Sequence, residues 1–251
     1  GKVDEVVEIE LVNYFIKGNI ELTKVDADYP DNKLTGAVFE VYADTNGNGE
    51  FDKDDELCGE MTELEGGVYQ MTELRYGKYF VREKTVPDGF VLDDGVYGVS
   101  IEENGKTYTV ENKAGVGFIN DAQKGSLKIV KTSSDGKVEG FSFRVTSADG
   151  YDQTFKTDKN GEIFIEGLRI GEYTVSEVSD SASAGYILPA DKQATVKTDS
   201  TTIVEMHNEF RDTPKTGDDF NLGLWVSLAA ASVIGAGVLG FVGFKKKKKE
   251  D

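Results

Sequence analysis

The chain has one cysteine, one histidine and only four prolines in 251 residues. One cysteine cannot form an internal disulfide, and one histidine cannot supply a histidine-based zinc site, so disulfide frameworks and zinc domains are excluded. The scarcity of proline excludes a proline-rich linker protein. Basic residues are outnumbered, with 28 Lys and Arg against 46 Asp and Glu, and the net charge of −18 argues against nucleic-acid binding.

Glycine, by contrast, is frequent, at 29 residues, and aromatic residues make up 10% of the chain. This composition favours many tight turns between packed strands. Asn-Gly and Asp-Gly pairs at residues 104–105, 135–136 and 160–161 separate short runs in which apolar and polar residues alternate. The sequence therefore predicts an all-β chain.

Two parts of the chain repeat each other. Residues 18–24, Gly-Asn-Ile-Glu-Leu-Thr-Lys, match residues 125–131, Gly-Ser-Leu-Lys-Ile-Val-Lys, and residues 74–83 match residues 168–177. Repeats of about 100 residues built from short alternating runs indicate duplicated sandwiches and not a solenoid. We predict two tandem Ig-like or prealbumin-like β-sandwich domains, the first module at residues 18–123 and the second module at residues 124–212.

The beginning of the chain carries a fragment of the same pattern. Val12-Asn13 precedes Gly18 by the spacing with which Ile119-Asn120 precedes the second module. We interpret residues 1–17 as the last strand of a truncated upstream module. The chain is accordingly expected to begin inside a longer exported precursor with further upstream domains.

Three polar residues in each module continue the apolar face of a predicted strand. Strand side chains alternate between faces, so residues two apart share a face. A lone buried charge costs several kcal/mol unless it is neutralised or paired, so six such residues need a common cause. In the order lysine, glutamate, asparagine they are Lys24, Glu83 and Asn120 in the first module and Lys131, Glu177 and Asn208 in the second.

A covalent reaction would remove the buried charges. Desolvation lowers a lysine pKa and raises a glutamate pKa, so a neutral amine can attack the asparagine carboxamide while the protonated glutamate polarises its carbonyl. The products are an amide cross-link and ammonia. The alternative is a buried lysine–glutamate ion pair to which the asparagine adds hydrogen bonds.

Both modules resemble the collagen-adhesin B-type (Cna B-type, SpaA-like prealbumin-like) domains of Gram-positive surface proteins and pilins. The resemblance covers residues 18–212, and residues 79–90, Tyr-Phe-Val-Arg-Glu-Lys-Thr-Val-Pro-Asp-Gly-Phe, are similar to that family's E-box. It implies an isopeptide bond in each module, with the glutamate as the catalytic group. The second module departs from the E-box because residues 179–186 contain no proline, and Asn112 is a second candidate acceptor in the first module.

The C-terminal part of the chain is apolar and then basic. Residues 220–244 contain no charged side chain, and as a helix they are long enough to cross a hydrocarbon core of about 30 Å. Five lysines follow at residues 245–249. Because such a cluster stays on the cytoplasmic side, we predict one transmembrane helix, a cytoplasmic tail at residues 245–251 and an extracellular body.

A pentapeptide lies just ahead of this helix, formed by Thr213, Pro214, Lys215, Thr216 and Gly217. The order of pentapeptide, apolar span and lysine cluster resembles the sorting signal read by sortases, whose common form is Leu-Pro-x-Thr-Gly. The resemblance implies cleavage after Thr216 and transfer of its carboxyl to a peptidoglycan or pilin amine. Thr213 in place of leucine leaves the sortase class open. The alternative is a plain turn before a permanent membrane anchor.

The first module also contains a predicted calcium loop. Its oxygen-bearing residues match the ligand spacing of calcium loops, with glycine at the sixth position. Strand-like flanks argue against an EF-hand and favour a loop ordered by calcium between strands, and a solvated acidic hairpin is the alternative. The candidate ligands are Asp44, Asn46, Asn48, Glu50, Asp52 and Asp55.

These patterns predict a cell-wall-anchored surface protein, either an adhesin stalk or an ancillary pilin. We expect no turnover chemistry and no cofactor beyond structural calcium. The expected partners are a sortase, a peptidoglycan or pilin amine, the membrane before sorting, and a host or extracellular-matrix ligand bound by an upstream region. A major polymerising pilin is disfavoured because residues 29–31, Tyr-Pro-Asp, lack the lysine of that family's Tyr-Pro-Lys motif. The spacer region of a wall-anchored enzyme is a further alternative.

Overall fold

The computed structural model describes residues 10–211, and all regular secondary structure within them is β-strand. This confirms the predicted all-β class. The predicted sorting signal at residues 213–217, the apolar span at 220–244 and the tail at 245–251 lie outside the described residues. The described part of the chain contains no helix with the length and hydrophobicity needed to cross a membrane.

The first module is a sandwich of two sheets. One sheet has the order β4-β5-β1-β8, with β9 also paired to β1, and the facing sheet has the order β3-β2-β6-β7. The strands are β1 (Lys17–Asp26), β2 (Val38–Ala43), β3 (Glu56–Glu60), β4 (Thr62–Glu63), β5 (Val68–Arg75), β6 (Gly77–Thr85), β7 (Val96–Ile101), β8 (Thr107–Thr109) and β9 (Phe118–Asn120).

The second module repeats this architecture. Its sheets have the orders β13-β10-β17-β15 and β12-β11-β14-β16. The strands are β10 (Lys124–Ser133), β11 (Ser142–Ser147), β12 (Asp152–Lys156), β13 (Glu162–Arg169), β14 (Gly171–Glu177), β15 (Tyr186–Ile187), β16 (Lys192–Val196) and β17 (Thr201–Phe210). Each module has its own hydrophobic core, so the prediction of two tandem β-sandwiches is confirmed.

The repeated glycine at the start of each module has a packing cause. A Cβ atom on Gly18 would lie 2.8 Å from the carbonyl oxygen of Lys106, and the strand register shifts just after Gly18. Gly125 is crowded in the same way by the carbonyl oxygen of Lys197, and the same shift follows it. Only glycine allows this close approach, which brings the first strand of the module against the turn between β7 and β8 or, in the second module, between β16 and β17.

The first and last strands of each module are parallel neighbours. In the first module Lys24 lies opposite Phe118, two residues before Asn120. In the second module Lys131 lies opposite Met206, which is likewise two residues before the asparagine. The lysine and the asparagine therefore lie on the same face of adjacent strands. Residues 10–16 form no strand in the structure, and residues 1–9 lie outside the described part, so the assignment of residues 1–17 to an upstream module stays a prediction.

Candidate functional site

The three polar residues predicted for the first module come together in its interior. Lys24 on β1 and Asn120 on β9 lie in one sheet, while Glu83 on β6 reaches them from the facing sheet. Alternation along each strand turns all three inward, because each continues an apolar face. Their exposed fractions are 0%, 2% and 4%, respectively, so the group is sealed from water.

The Glu83 carboxylate contacts both of the other members. Asn120 donates from Nδ2 to Glu83 Oε2 at 2.9 Å, and Lys24 Nζ lies 3.8 Å from Glu83 Oε1. The lysine amine also donates to the carbonyl oxygen of Phe118 at 3.1 Å and lies 5.1 Å from the centre of the Phe118 ring. The amine and the carboxamide are thus held on either side of one carboxyl group.

The second module also buries its three polar residues, and of the contacts with the glutamate it repeats the one made by the asparagine. Asn208 donates from Nδ2 to Glu177 Oε1 at 2.6 Å, and its exposed fraction is 0%. Lys131 Nζ donates to the carbonyl oxygen of Thr132 and lies 4.3 Å from the centre of the Phe141 ring. Lys131 and Glu177 are also buried. The departure from the E-box at residues 179–186 therefore does not separate Glu177 from Asn208.

Burial shifts the protonation equilibria in the direction that the chemistry requires. Desolvation lowers the pKa of Lys24 from 10.5 to about 8, and it raises the pKa of Glu83 above its usual value of 4.5. The same cause lowers the pKa of Lys131 and raises the pKa of Glu177. In each module burial therefore shifts both pKa values toward the pair that the reaction needs, a neutral amine beside a protonated carboxyl group.

Buried oxygen atoms without partners accumulate at both groups. Among the described residues, no hydrogen bond reaches the Oδ1 atoms of Asn120 and Asn208, or the second carboxyl oxygens of Glu83 and Glu177. A buried acceptor without a partner costs about 1–3 kcal/mol. A protonated carboxyl group would donate to the carboxamide oxygen if that amide were turned by half a turn, and this contact would polarise the carbonyl.

Asn112, the competing acceptor of the first module, has a different role. Its Oδ1 accepts from the backbone N–H of Ile119 at 2.6 Å, and its Nδ2 donates to the carbonyl oxygen of Ile119 at 2.9 Å and to Asp93. The side chain thereby holds the backbone beside Asn120. It makes no hydrogen bond to Glu83, so the structure brings Asn120 and not Asn112 to the carboxyl group.

Asp93 belongs to the site but was not identified from the sequence. Its backbone N–H donates to Glu83 Oε2 at 3.0 Å, and its carboxylate accepts from the Tyr97 hydroxyl at 2.8 Å. This contact helps to fix the orientation of the glutamate. Asp93 follows the E-box in a segment without regular alternation, so no periodic pattern marked it.

The predicted calcium loop connects β2 and β3 and is held by its own hydrogen bonds. Gly49 N–H donates to Asp44, Asp52 N–H donates to Asp55, and the amides of Asn46 and Asn48 donate to Asp52. Within residues 10–211 no three Asp, Glu, His or Cys side chains form a group arranged to hold a metal. One oxygen each of Asp44 and Asp55 is nevertheless buried without a hydrogen-bond partner.

The sequence also matches a known domain family twice. A family model described as SpaA, prealbumin-like fold domain, matches residues 18–114 and again residues 125–210. These two matches lie on the two sandwiches. A comparison with curated proteins finds no match.

Several solved structures are similar to this chain. The Bacillus anthracis TIE protein has a TM-score of 0.58 and 24% identity over 78% of this chain, which spans about a third (34%) of that protein. This likeness establishes the fold alone. A C-terminal fragment of the pilus adhesin SpaC from Lactobacillus rhamnosus GG has a TM-score of 0.49 at 13% identity, covering 79% of this chain and 98% of the fragment. A minor pilin of Streptococcus agalactiae has a TM-score of 0.37 at 16% identity, covering 80% and 100%.

Proposed function

The chain belongs to the SpaA family of prealbumin-like fold domains, and from that premise we propose that it is a structural stalk on a Gram-positive cell surface. It acts as an adhesin stalk or ancillary pilin in which an intramolecular isopeptide bond locks each module. One observation supports this above all others: two modules of different sequence bury the same lysine, glutamate and asparagine, and in both modules the asparagine donates to the glutamate.

The reaction in each module balances without any external reagent. The neutral lysine amine attacks Cγ of the asparagine, while the protonated glutamate donates to Oδ1 and stabilises the developing negative charge. The carboxyl group then carries a proton from the amine nitrogen to the departing Nδ2. A new C–N bond replaces the old one, and one ammonia leaves. Since the glutamate ends as it began, it is a catalytic residue of a single turnover.

The position of the bond suggests a mechanical purpose. It would join the first strand to the last strand of the module, and the chain enters and leaves through these two strands. A pulling force acts directly on them. Because the two strands are parallel, the force shears the hydrogen bonds between them, and these non-covalent bonds break under sufficient load, whereas a covalent amide bond would hold. The modules would then transmit load without unfolding.

Anchoring completes the proposal. A sortase would recognise residues 213–217, cut after Thr216 and join the new carboxyl group to a peptidoglycan or pilin amine. Before that step, residues 220–244 would hold the chain in the membrane. The protein would then lie on the extracellular face of the cell wall and bind a host or matrix ligand through an upstream region.

Intact-mass spectrometry tests the cross-links directly. We expect the purified full chain, expressed without a sortase, to be lighter than its calculated mass by two molecules of ammonia. Lys24→Ala and Lys131→Ala should each be lighter by only one, because each variant has lost one nucleophile. Lys128→Ala is the matched control, since Lys128 lies on β10 between buried positions and pairs with Glu162 at the surface.

The Lys128 variant should keep both mass deficits. A full calculated mass for the unaltered chain would rule out the cross-links and leave only non-covalent contacts among the three buried side chains of each module. Peptide mapping would then locate any bond that is present, because proteolysis should yield a branched peptide that contains both Lys24 and Asn120.

We further propose that calcium orders the loop between β2 and β3. The two carboxylate oxygens that lack partners, on Asp44 and Asp55, support this assignment. The ligand chemistry also fits, because carboxylate and amide oxygens are the donors that calcium prefers. Binding would need the Asn46 and Asn48 side chains to present oxygen in place of the nitrogen that they now direct at Asp52.

Calcium should therefore raise the melting temperature of the first module. A ligand at about 100 times its dissociation constant adds about 2.7 kcal/mol, which corresponds to a rise of about 10 °C in a domain of this size. Scanning calorimetry in millimolar calcium and in chelator measures the difference. Asp44→Asn and Asp55→Asn should abolish it, while Asp54→Asn should keep it. Equal melting temperatures in calcium and chelator would remove the site.

A further inference from the structure

The joint between the two modules is built on one arginine. Both modules lie in one compact unit that ends at Phe210. Arg169, the last residue of β13, donates from Nη2 to Asp26 at 2.7 Å and to Asp28 at 2.9 Å, and both acceptors belong to the first module. Lys124 adds a contact with Asp28 at 3.0 Å. Two cations of one module thus hold two carboxylates of the other.

The contact between Arg169 and Asp26 is largely removed from water, whereas Asp28 and Lys124 at its side are 33% and 40% exposed. The side chain of Asp26 is only 2% exposed, and that of Arg169 is 23% exposed. The guanidinium carbon lies 4.9 Å from the centre of the Tyr29 ring and 5.8 Å from that of Phe90. Removing one partner of a buried ion pair typically costs about 3–5 kcal/mol, because the other charge is left uncompensated. The clasp therefore fixes one module against the other.

The opposite end of the first module carries the same cationic parts. Lys17 on β1 lies opposite Arg75 on β5, in the same register in which Lys124 on β10 lies opposite Arg169 on β13. In the sequence repeat, Arg75 follows Leu74 as Arg169 follows Leu168. The first module therefore presents Lys17 and Arg75 at the end where the chain enters it, and we call this end the leading edge.

The backbone at this edge is also repeated. The N–H of Tyr76 donates to the carbonyl oxygen of Ile16 at 2.9 Å, just as the N–H of Ile170 donates to that of Gln123 at 3.1 Å. Gln123 belongs to the segment that connects the two modules, so Ile16 occupies the corresponding place ahead of the first module. An equivalent backbone hydrogen bond therefore holds the segment that enters the first module and the segment that enters the second.

Among the described residues, the leading edge has no counterpart of the carboxylates of Asp26 and Asp28 that Arg169 binds. Within residues 10–211 the arginines in ion pairs are Arg82, Arg144 and Arg169, and Arg75 has no carboxylate partner there. Its guanidinium carbon lies 4.4 Å from the centre of the Phe15 ring. Phe15 itself is 66% exposed, and Tyr14 beside it is 88% exposed. A cation and exposed aromatic rings therefore face outward together.

The far end of the second module does not supply that acidic half. Ser133 stands two residues after Lys131, where the first module has Asp26 two residues after Lys24. Asp135 is already engaged, because it accepts from the Tyr186 hydroxyl at 2.6 Å and from the Ser133 hydroxyl at 2.8 Å. A second copy of this chain docked through its second module would offer Arg75 no equivalent pair.

We propose that the leading edge of the first module is a docking surface for a preceding prealbumin-like module that carries two carboxylates at the positions of Asp26 and Asp28. Arg75 clasps this pair as Arg169 clasps its own, and Lys17 leaves Glu73, its present partner at 2.7 Å, to join them. The joint so formed continues the stalk with a fixed angle between modules. The inference rests on the proposed stalk function but not on the cross-links.

A three-module fusion tests the joint. A copy of residues 18–120 is placed directly ahead of Tyr14 in the otherwise unchanged chain, so that its last asparagine replaces Asn13. Cys58, an exposed free cysteine, is changed to serine both in the added copy and in the first module. Glu102 is changed to cysteine in each of the two, and spin labels are attached at these positions. Pulsed electron spin resonance on the detergent-purified fusion measures their distance. Labels at Glu102 of the first module and at Glu166 give the reference distance across the existing joint.

The upstream pair should give a distance distribution as narrow as the reference pair. Arg75→Ser should broaden the upstream distribution at least twofold and leave the reference unchanged, while Arg169→Ser should do the reverse. Asp26→Asn with Asp28→Asn in the copy should match Arg75→Ser, and combining the two changes should add nothing further. The proposal would be overturned if the upstream distance distribution were broad with Arg75 present, or if it stayed narrow in the Arg75→Ser variant. The mass of the same fusion reports the cross-links independently.

Discussion

Replacing Glu83 with alanine is expected to leave the first module without its cross-link and to lower its melting temperature by about 20 °C. A bond between Lys24 and Asn120 closes a loop of about 100 residues, which in the unfolded chain is worth about 4–5 kcal/mol by the estimate used for disulfides. The variant also leaves the Lys24 amine buried without its carboxylate. Both effects act in the same direction.

Two measurements separate catalysis from simple loss of packing. Calorimetry should show the first module melting earlier while the second is unchanged, and the intact mass should regain one ammonia. Glu40→Ala is the matched control. Glu40 is also buried, at 5% exposure, but it pairs with Arg82 and Lys84 and not with Lys24 or Asn120. It should lower stability and keep both mass deficits.

The opposite outcome is equally clear. If the Glu83 variant still lost two molecules of ammonia, the carboxyl group would not be the catalyst, and another proton carrier near Lys24 would have to be sought. Asp93 would be the first to test, because its charge acts on Lys24 and its backbone N–H binds Glu83. Glu177→Ala should repeat the Glu83 result in the second module, which has no carboxylate in the place of Asp93.

Strand alternation and the internal repeat together predicted the buried group of lysine, glutamate and asparagine in each module. A period of two decides which side of a strand faces the core, so Lys24 and Lys131 could be assigned to buried positions before any coordinates. Their burial pattern in β1 and β10 follows this alternation residue by residue as far as the lysines. The repeat then grouped each lysine with a glutamate and an asparagine, because the same three residue types break the apolar faces in the same order in both modules.

The joint between modules was not predictable in this way. Arg169 lies at the end of its strand, and its partners Asp26 and Asp28 lie more than 140 residues earlier. Alternation places a side chain on a face of its own sheet, but it says nothing about which neighbouring module that face meets. The repeated Leu-Arg dipeptide was visible in the sequence, but nothing near Arg169 in the sequence marks its role, because its acidic partners belong to the other module.

Pulling on single molecules should show the second large effect. With both cross-links in place, a stretched chain can extend only outside the loops from Lys24 to Asn120 and from Lys131 to Asn208. Without the first bond, about 100 residues would be released, and an extended chain spans about 3.4 Å per residue, so the contour length should grow by about 300 Å. Loss of the second bond should release a shorter loop and add about 250 Å.

Force spectroscopy on the two lysine variants makes this difference specific to each module. Lys24→Ala should give one unfolding step of the larger size, Lys131→Ala one step of the smaller size, and the double variant both. The Lys128→Ala control should give neither, because its side chain faces outward from β10. Steps of both sizes in the unaltered chain would mean that hydrogen bonds alone hold the first and last strands together, and a load-bearing stalk could not then rest on these modules. Their absence, together with the two missing molecules of ammonia, would make the covalent bond the element that carries the force.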